Sequence, residues 1–116
     1  MCGVAGIFAY HYAAPKADRE ELARIRDAML RRGPDGAGEW IGADGRVGLA
    51  HRRLAIIDLS DRGAQPMASA DGRIVVSFNG EIYNYRELRT QLEKEGRVFK
   101  SQCDTEVLLH LYEKKG

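Results

Sequence analysis

The sequence predicts an α+β fold, and three features carry that reading. Two Asp-Gly dipeptides, Asp44-Gly45 and Asp71-Gly72, stand between apolar, β-prone runs and read as hairpin turns. Two further stretches open on Asp18 and Asn84, each followed three positions later by Glu, which is a helix-start pattern. Near the C-terminus, apolar residues recur at helical spacing.

Taken in order, Gly3 to Tyr10 (GVAGIFAY) is short and apolar and reads as a buried strand. After a turn with Pro15, Asp18 and Glu21 form a capping-box-like start for a helix carrying Leu22, Ile25 and Met29, which Gly33-Pro34 ends. Glu39 to Ile41 and Val47 to Ile57 read as strands on either side of Asp44-Gly45. Asp58 to Met67 is a polar loop, and Arg73 to Phe78 is the strand that follows the second hairpin turn. Asn84 and Glu87 begin a helix that runs to about Glu95, where Gly96 stops it. Arg97 to Phe99 reads as a short strand, and Asp104 as the cap of a third helix with Val107, Leu108, Leu111 and Tyr112. That helix meets no stop signal before Gly116, which suggests a piece of a longer chain.

Composition narrows the function. The 116 residues make one domain at most, with 44% hydrophobic and 30% charged residues. The 18 basic and 17 acidic side chains are interspersed and leave a net charge of +1, which argues against a nucleic-acid partner. No apolar run approaches the roughly 18 residues of a membrane span, and no basic leader precedes the first apolar segment. A cytoplasmic location is therefore expected, with Cys2 and Cys103 as free thiols. The three histidines form no metal-ligand spacing with the cysteines, and no Gly-rich phosphate loop is present. No cofactor is expected within this segment.

Four places can carry chemistry, each with a plainer alternative. Cys2 is small enough for Met1 to be trimmed, leaving an α-amine beside the thiol. An α-amine with a pKa of about 7.7–8.0 can act as a general base, so nucleophile and base would share one residue. Position alone favours an incidental terminal thiol. Asn79-Gly80 reads either as a hairpin turn or as two donors, a side-chain amide and a backbone N–H, aimed at a developing oxyanion. Arg53 is either a solvated charge or a bidentate clamp for a carboxylate. Asp104 is either a helix cap or a partner for an ammonium.

In order, Met1 to Ile7 (MCGVAGI), Arg32 to Gly36 (RGPDG), Gly48 to Met67 (GLAHRRLAIIDLSDRGAQPM), Phe78 to Leu88 (FNGEIYNYREL) and Cys103 to Tyr112 (CDTEVLLHLY) resemble class II glutamine amidotransferases, which are N-terminal-nucleophile hydrolases. Within the class the match is closest to the glutamine-hydrolysing asparagine synthetases, and it covers essentially the whole chain. Arg31 stands where the family commonly has His.

The resemblance implies an αββα sandwich, here truncated to the N-terminal part of a glutaminase domain, with the synthetase domain absent. It implies glutamine as substrate and Cys2 as the nucleophile that forms a thioester. Asn79 and the Gly80 N–H would form the oxyanion hole, Arg53 would hold the substrate carboxylate and Asp104 its ammonium. Backbone groups of Leu54, Ala55, Ile56 and Ile57, together with Glu81, would complete the pocket. ATP and Mg would belong only to the absent synthetase domain, and a homo-oligomer is compatible with the full-length parent. The alternative from another class is a non-catalytic fragment or assembly module that keeps only the pocket's shape, for which a retained Met1 would speak. A related enzyme with another ammonia acceptor is a third reading.

Overall fold

The computed structural model describes residues 2–55 and 61–115. Strand β1 (Gly3–Phe8) is followed by helix α1 (Arg19–Ala28), strands β2 (Gly36–Ile41) and β3 (Val47–Arg53), and a single 3₁₀ turn at Asp61–Gly63. Two short strands, β4 (Met67–Ala68) and β5 (Val75–Val76), then precede helices α2 (Tyr85–Lys94) and α3 (Thr105–Lys115). Antiparallel sheets with helices packed to their sides make this an α+β fold.

β3 is the centre of a three-stranded antiparallel sheet ordered β1-β3-β2. Its register pairs Ala5 with Ala50 on one side and Glu39 with Ala50 on the other. Because side chains alternate along a strand, this register separates two faces. Gly3, Gly48 and Ala50 lie on the face that α1 covers. A Cβ at Gly48 would sit 3.1 Å from Leu22 Cδ2, and one at Gly3 2.7 Å from Met29 Sδ, so small residues let the helix lie close. Arg19 and Arg26 of α1 pair with Glu39 on that face. Asp18 caps α1 as expected, Oδ1 accepting the Glu20 N–H at 3.0 Å.

The opposite face carries Val4, Gly38, His51 and Arg53. The Gln65 backbone presses on Gly38, where any side chain would overlap its carbonyl. Val4 and Phe8, on the same face of β1, are 42% and 66% exposed, so β1 is the expected strand but only partly buried.

The second sheet pairs β4 with β5 across a turn in which Gly72 has φ +73°. Met67, Cys103 and Leu109 form a core there, with Ile74 and Val76 packed against it. Gly96, at φ +91°, ends α2 in a Schellman motif: the Gly96 N–H donates to Glu93 O and the Arg97 N–H to Leu92 O.

Four local expectations need correction. Asn84 precedes α2, but its side chain makes no capping bond. The strand expected at Arg97 to Phe99 does not form: Arg89 stacks its guanidinium 4.6 Å over the Phe99 ring, and the Glu106 carboxylate takes the Lys100 and Ser101 N–H groups. The strands expected over Val47 to Ile57 and Arg73 to Phe78 are shorter, and the donors at their ends turn to side chains. The Leu54 N–H goes to Cys2, Ala55 to Asp35 and Phe78 to Gln65. Ile56 and Ile57 lie outside the described residues.

Candidate active site

Those strand ends surround a cleft of about 400 Å³. Its walls include Cys2, Arg53 and Leu54 from the end of the first sheet, Asn79, Gly80 and Glu81 from the loop after β5, and Asp104 at the start of α3. Seven residues named from sequence thus meet in one place. Ala55 does not: it lines a neighbouring cleft, and its N–H is held by Asp35 Oδ2 at 2.9 Å.

Cys2 directly precedes β1 and is half-buried. The Leu54 N–H donates to its Sγ at 3.3 Å, and the thiol lies 3.8 Å from Leu54 O. The sulfur is therefore aimed by the backbone just beyond β3. That backbone is fixed from the other side by Arg32 to Gly36. A Cβ at Gly33 would overlap the Arg52 carbonyl and the Arg53 nitrogen, so only glycine fits there. Arg52 Nε donates to Gly33 O at 2.9 Å, and the Asp35 N–H donates to Arg53 O at 2.9 Å.

His51 supports the same strand. It is fully buried, with Nδ1 3.0 Å from Ser77 Oγ, and its Nε2 has no hydrogen-bond partner among the described residues. Burial and the nearby positive charge of Arg53 push its pKa down to about 4, so the ring is neutral at pH 7.

The Asn79-Gly80 alternatives separate on backbone geometry. A two-residue hairpin of type I′ or II′ needs positive φ at its first central residue, and neither Asn79 nor Gly80 has it. Both are exposed, in a segment outside any strand. A Cβ at Gly80 would meet Phe78 Cζ at 2.8 Å, so glycine permits the close approach of loop and ring.

Asp104 is buried and directly precedes α3, but its carboxylate reaches across to the loop. Oδ2 accepts the Ile82 N–H at 3.0 Å, and Oδ1 lies 3.6 Å from Cys103 Sγ. The expected side-chain cap gives way to this cross-link. Cys103 is the second thiol of the cleft and is of a different kind. Burial pushes its pKa up, and its Sγ also lies 3.5 Å from Thr105 Oγ1.

Gln65, Phe78, Tyr83, Cys103 and Thr105 also line the cleft and were not singled out from sequence as site residues. Gln65 stands in a polar loop, and no periodicity or spacing marks it. Only its two side-chain bonds reveal it, one to the Phe78 N–H and one to Thr105 Oγ1.

Comparison with known proteins identifies the family. The family described as "Glutamine amidotransferase domain" matches residues 1–116. Asparagine synthetase (glutamine-hydrolyzing) 1 of Bacillus subtilis (strain 168) is 47% identical over 113 residues, which is 97% of this chain and 17% of that protein. Asparagine synthetase (glutamine-hydrolyzing) 2 of the same strain is 47% identical over 119 residues, covering 100% of this chain and 15% of its own length. Amidase chry2 of Gibberella zeae is 37% identical over 124 residues, covering 100% of the chain and 18% of its own length. The chain thus spans less than a fifth of each of these relatives.

Proposed function

The chain belongs to the glutamine amidotransferase domain family, and on that premise we propose that it hydrolyses the side-chain amide of glutamine through Cys2. The supporting observation is the single cleft that Cys2 shares with Arg53, Asn79, Gly80, Glu81 and Asp104.

The chemistry follows from the groups present. With Met1 removed, the α-amine of Cys2 takes the thiol proton and the sulfur attacks the amide carbon. Negative charge builds on the former carbonyl oxygen, where the Asn79 amide and the Gly80 N–H donate to it. The amine returns the proton to the leaving nitrogen, ammonia departs, and a thioester remains. Water activated by the same amine then opens the thioester to glutamate and regenerates the thiol. Arg53 holds the substrate carboxylate with its planar fork, and Asp104 receives the ammonium. Glu81 and the backbone of Leu54 complete the pocket. The Leu54 N–H bond to Sγ keeps the sulfur pointed during attack.

In this reading the chain is the N-terminal part of an asparagine-synthetase-type glutaminase domain built on an αββα sandwich. Its ammonia is consumed by an ATP- and Mg-dependent synthetase domain outside these 116 residues. The likeness to amidase chry2 favours a second reading, in which the same glutaminase chemistry feeds another acceptor. The partner domain decides between the two.

The test treats the mature full-length protein with a glutamine-analogue electrophile and maps the adduct by mass spectrometry. Modification is expected on Cys2. An adduct on Cys103, or none on a folded protein whose Met1 has been removed, would overturn the proposal.

A further inference from the structure

Resting on the reading of Asn79 and Gly80 as oxyanion donors, we infer that Gln65 is the positioning residue that holds this donor pair in place. Gln65 is only 8% exposed and lies outside any helix or strand. Its Oε1 accepts the Phe78 N–H at 2.6 Å, and its Nε2 donates to Thr105 Oγ1 at 3.1 Å. One orientation of the amide serves both ends: a backbone N–H needs the oxygen, so the NH₂ group faces the hydroxyl.

These bonds bracket the site loop. Phe78 immediately precedes Asn79, and Thr105 immediately follows Asp104. At the loop's other end the Ile82 N–H is held by Asp104 Oδ2 at 3.0 Å. Asn79, Gly80 and Glu81 therefore hang between two side-chain acceptors, outside any strand. The bridge is also seated on the first sheet, because the Gln65 backbone packs on Gly38, whose strand partner is His51 of β3. One buried amide thus ties the β3 wall, the donor loop and the start of α3 together.

Loss of Oε1 leaves the Phe78 N–H without its acceptor and releases the loop at the end nearest Asn79. The donors contact charge that exists only in the transition state, so the damage falls on kcat rather than on KM.

The experiment uses the full-length protein with glutamine as substrate. Gln65→Met keeps the side-chain length and removes both bonds. Its kcat is expected to fall about 100-fold, the scale of a misplaced catalytic group. Its KM should move by less than about threefold, because ground-state contacts are kept. Alkylation of Cys2 by iodoacetamide, a displacement that develops no oxyanion, should keep the wild-type rate. Gln65→Glu keeps an oxygen for the Phe78 N–H and accepts from the Thr105 hydroxyl, so it should recover kcat to within about tenfold of wild type.

A Gln65→Met kcat within about threefold of wild type overturns the inference. So does a loss of kcat matched by an equal loss of alkylation rate, or a Gln65→Glu variant no better than Gln65→Met. If Gln65→Met does not fold, Thr105→Val carries the test, with about a tenfold loss of kcat at unchanged alkylation expected and unchanged kcat overturning the idea. A wild-type protein that releases no ammonia from glutamine sinks the underlying proposal instead and is recognised before any variant is made.

Discussion

Two thiols face one cleft from different walls, and their surroundings separate them. Cys2 is half-buried, precedes a strand, and hydrogen-bonds to the backbone of Leu54. Cys103 is buried in the core of the second sheet, among Met67 and Leu109, with Asp104 and Thr105 near its sulfur. Both are cysteines within reach of the same space. On the proposed reading, what sets Cys2 apart from this core thiol is access and the supply of a base by its own α-amine once Met1 is removed.

The sharpest way to break this contrast is to delete each thiol. Cys2→Ala in the full-length protein should lower glutamine hydrolysis by about 10⁴-fold or more, the scale of losing a nucleophile. Cys103→Ala should leave kcat within about threefold, since it removes no group that acts on substrate. Ammonia release reads both, and an equally inactive but folded Cys103→Ala would erase the distinction. Next in size is Asn79→Ala. On the proposed mechanism its amide donates to the oxyanion formed by the Cys2 attack, so kcat should fall about 10²–10³-fold with little change in KM.

The two walls should also respond differently to acid. His51, beneath Arg53, has a folded pKa of about 4 against an unfolded value near 6.5. Below 6.5 the unfolded chain binds the proton that the folded one refuses, so stability falls with pH from there down to about 4. The slope is at most about 1.4 kcal/mol per pH unit from this group. Glu106, behind Cys103, behaves in another window. Desolvation works against its charge, but bonds from Ser101, Lys100 and His110 outweigh it and hold its pKa below the usual value. Its contribution is complete above the unfolded carboxyl pKa and is lost only as pH drops through the lower folded value. Melting curves across pH should therefore show a first decline that His51→Gln removes and a later one that Glu106→Gln removes. The smallest expected effect is on stability alone: Cys103→Ala should cost about 1–2 kcal/mol by thermal or denaturant unfolding, as a small core truncation does.

Much of the frame was legible from local chemistry. Asp18 caps its helix, the Asp44-Gly45 and Asp71-Gly72 turns form with positive φ at each glycine, and Gly96 closes α2 as expected. These features depend on residues a few positions apart, and a single sequence records such dependences directly. The motifs also identified the cleft-lining residues Cys2, Arg53, Leu54, Asn79, Gly80, Glu81 and Asp104. Gln65 was not legible, because its meaning depends on partners 13 and 40 residues away.

By itself, the sequence determined the helices, the turns, the α+β class and the residues with reactive groups. Only the tertiary structure decided where each strand stops. At those stops backbone donors leave the ladder for side chains: Leu54 for Cys2, Ala55 for Asp35 and Phe78 for Gln65. The physical reason is that every backbone N–H taken out of water must find an acceptor, but sequence pattern does not say which one. Two of these acceptors, Cys2 and Gln65, line the same cleft.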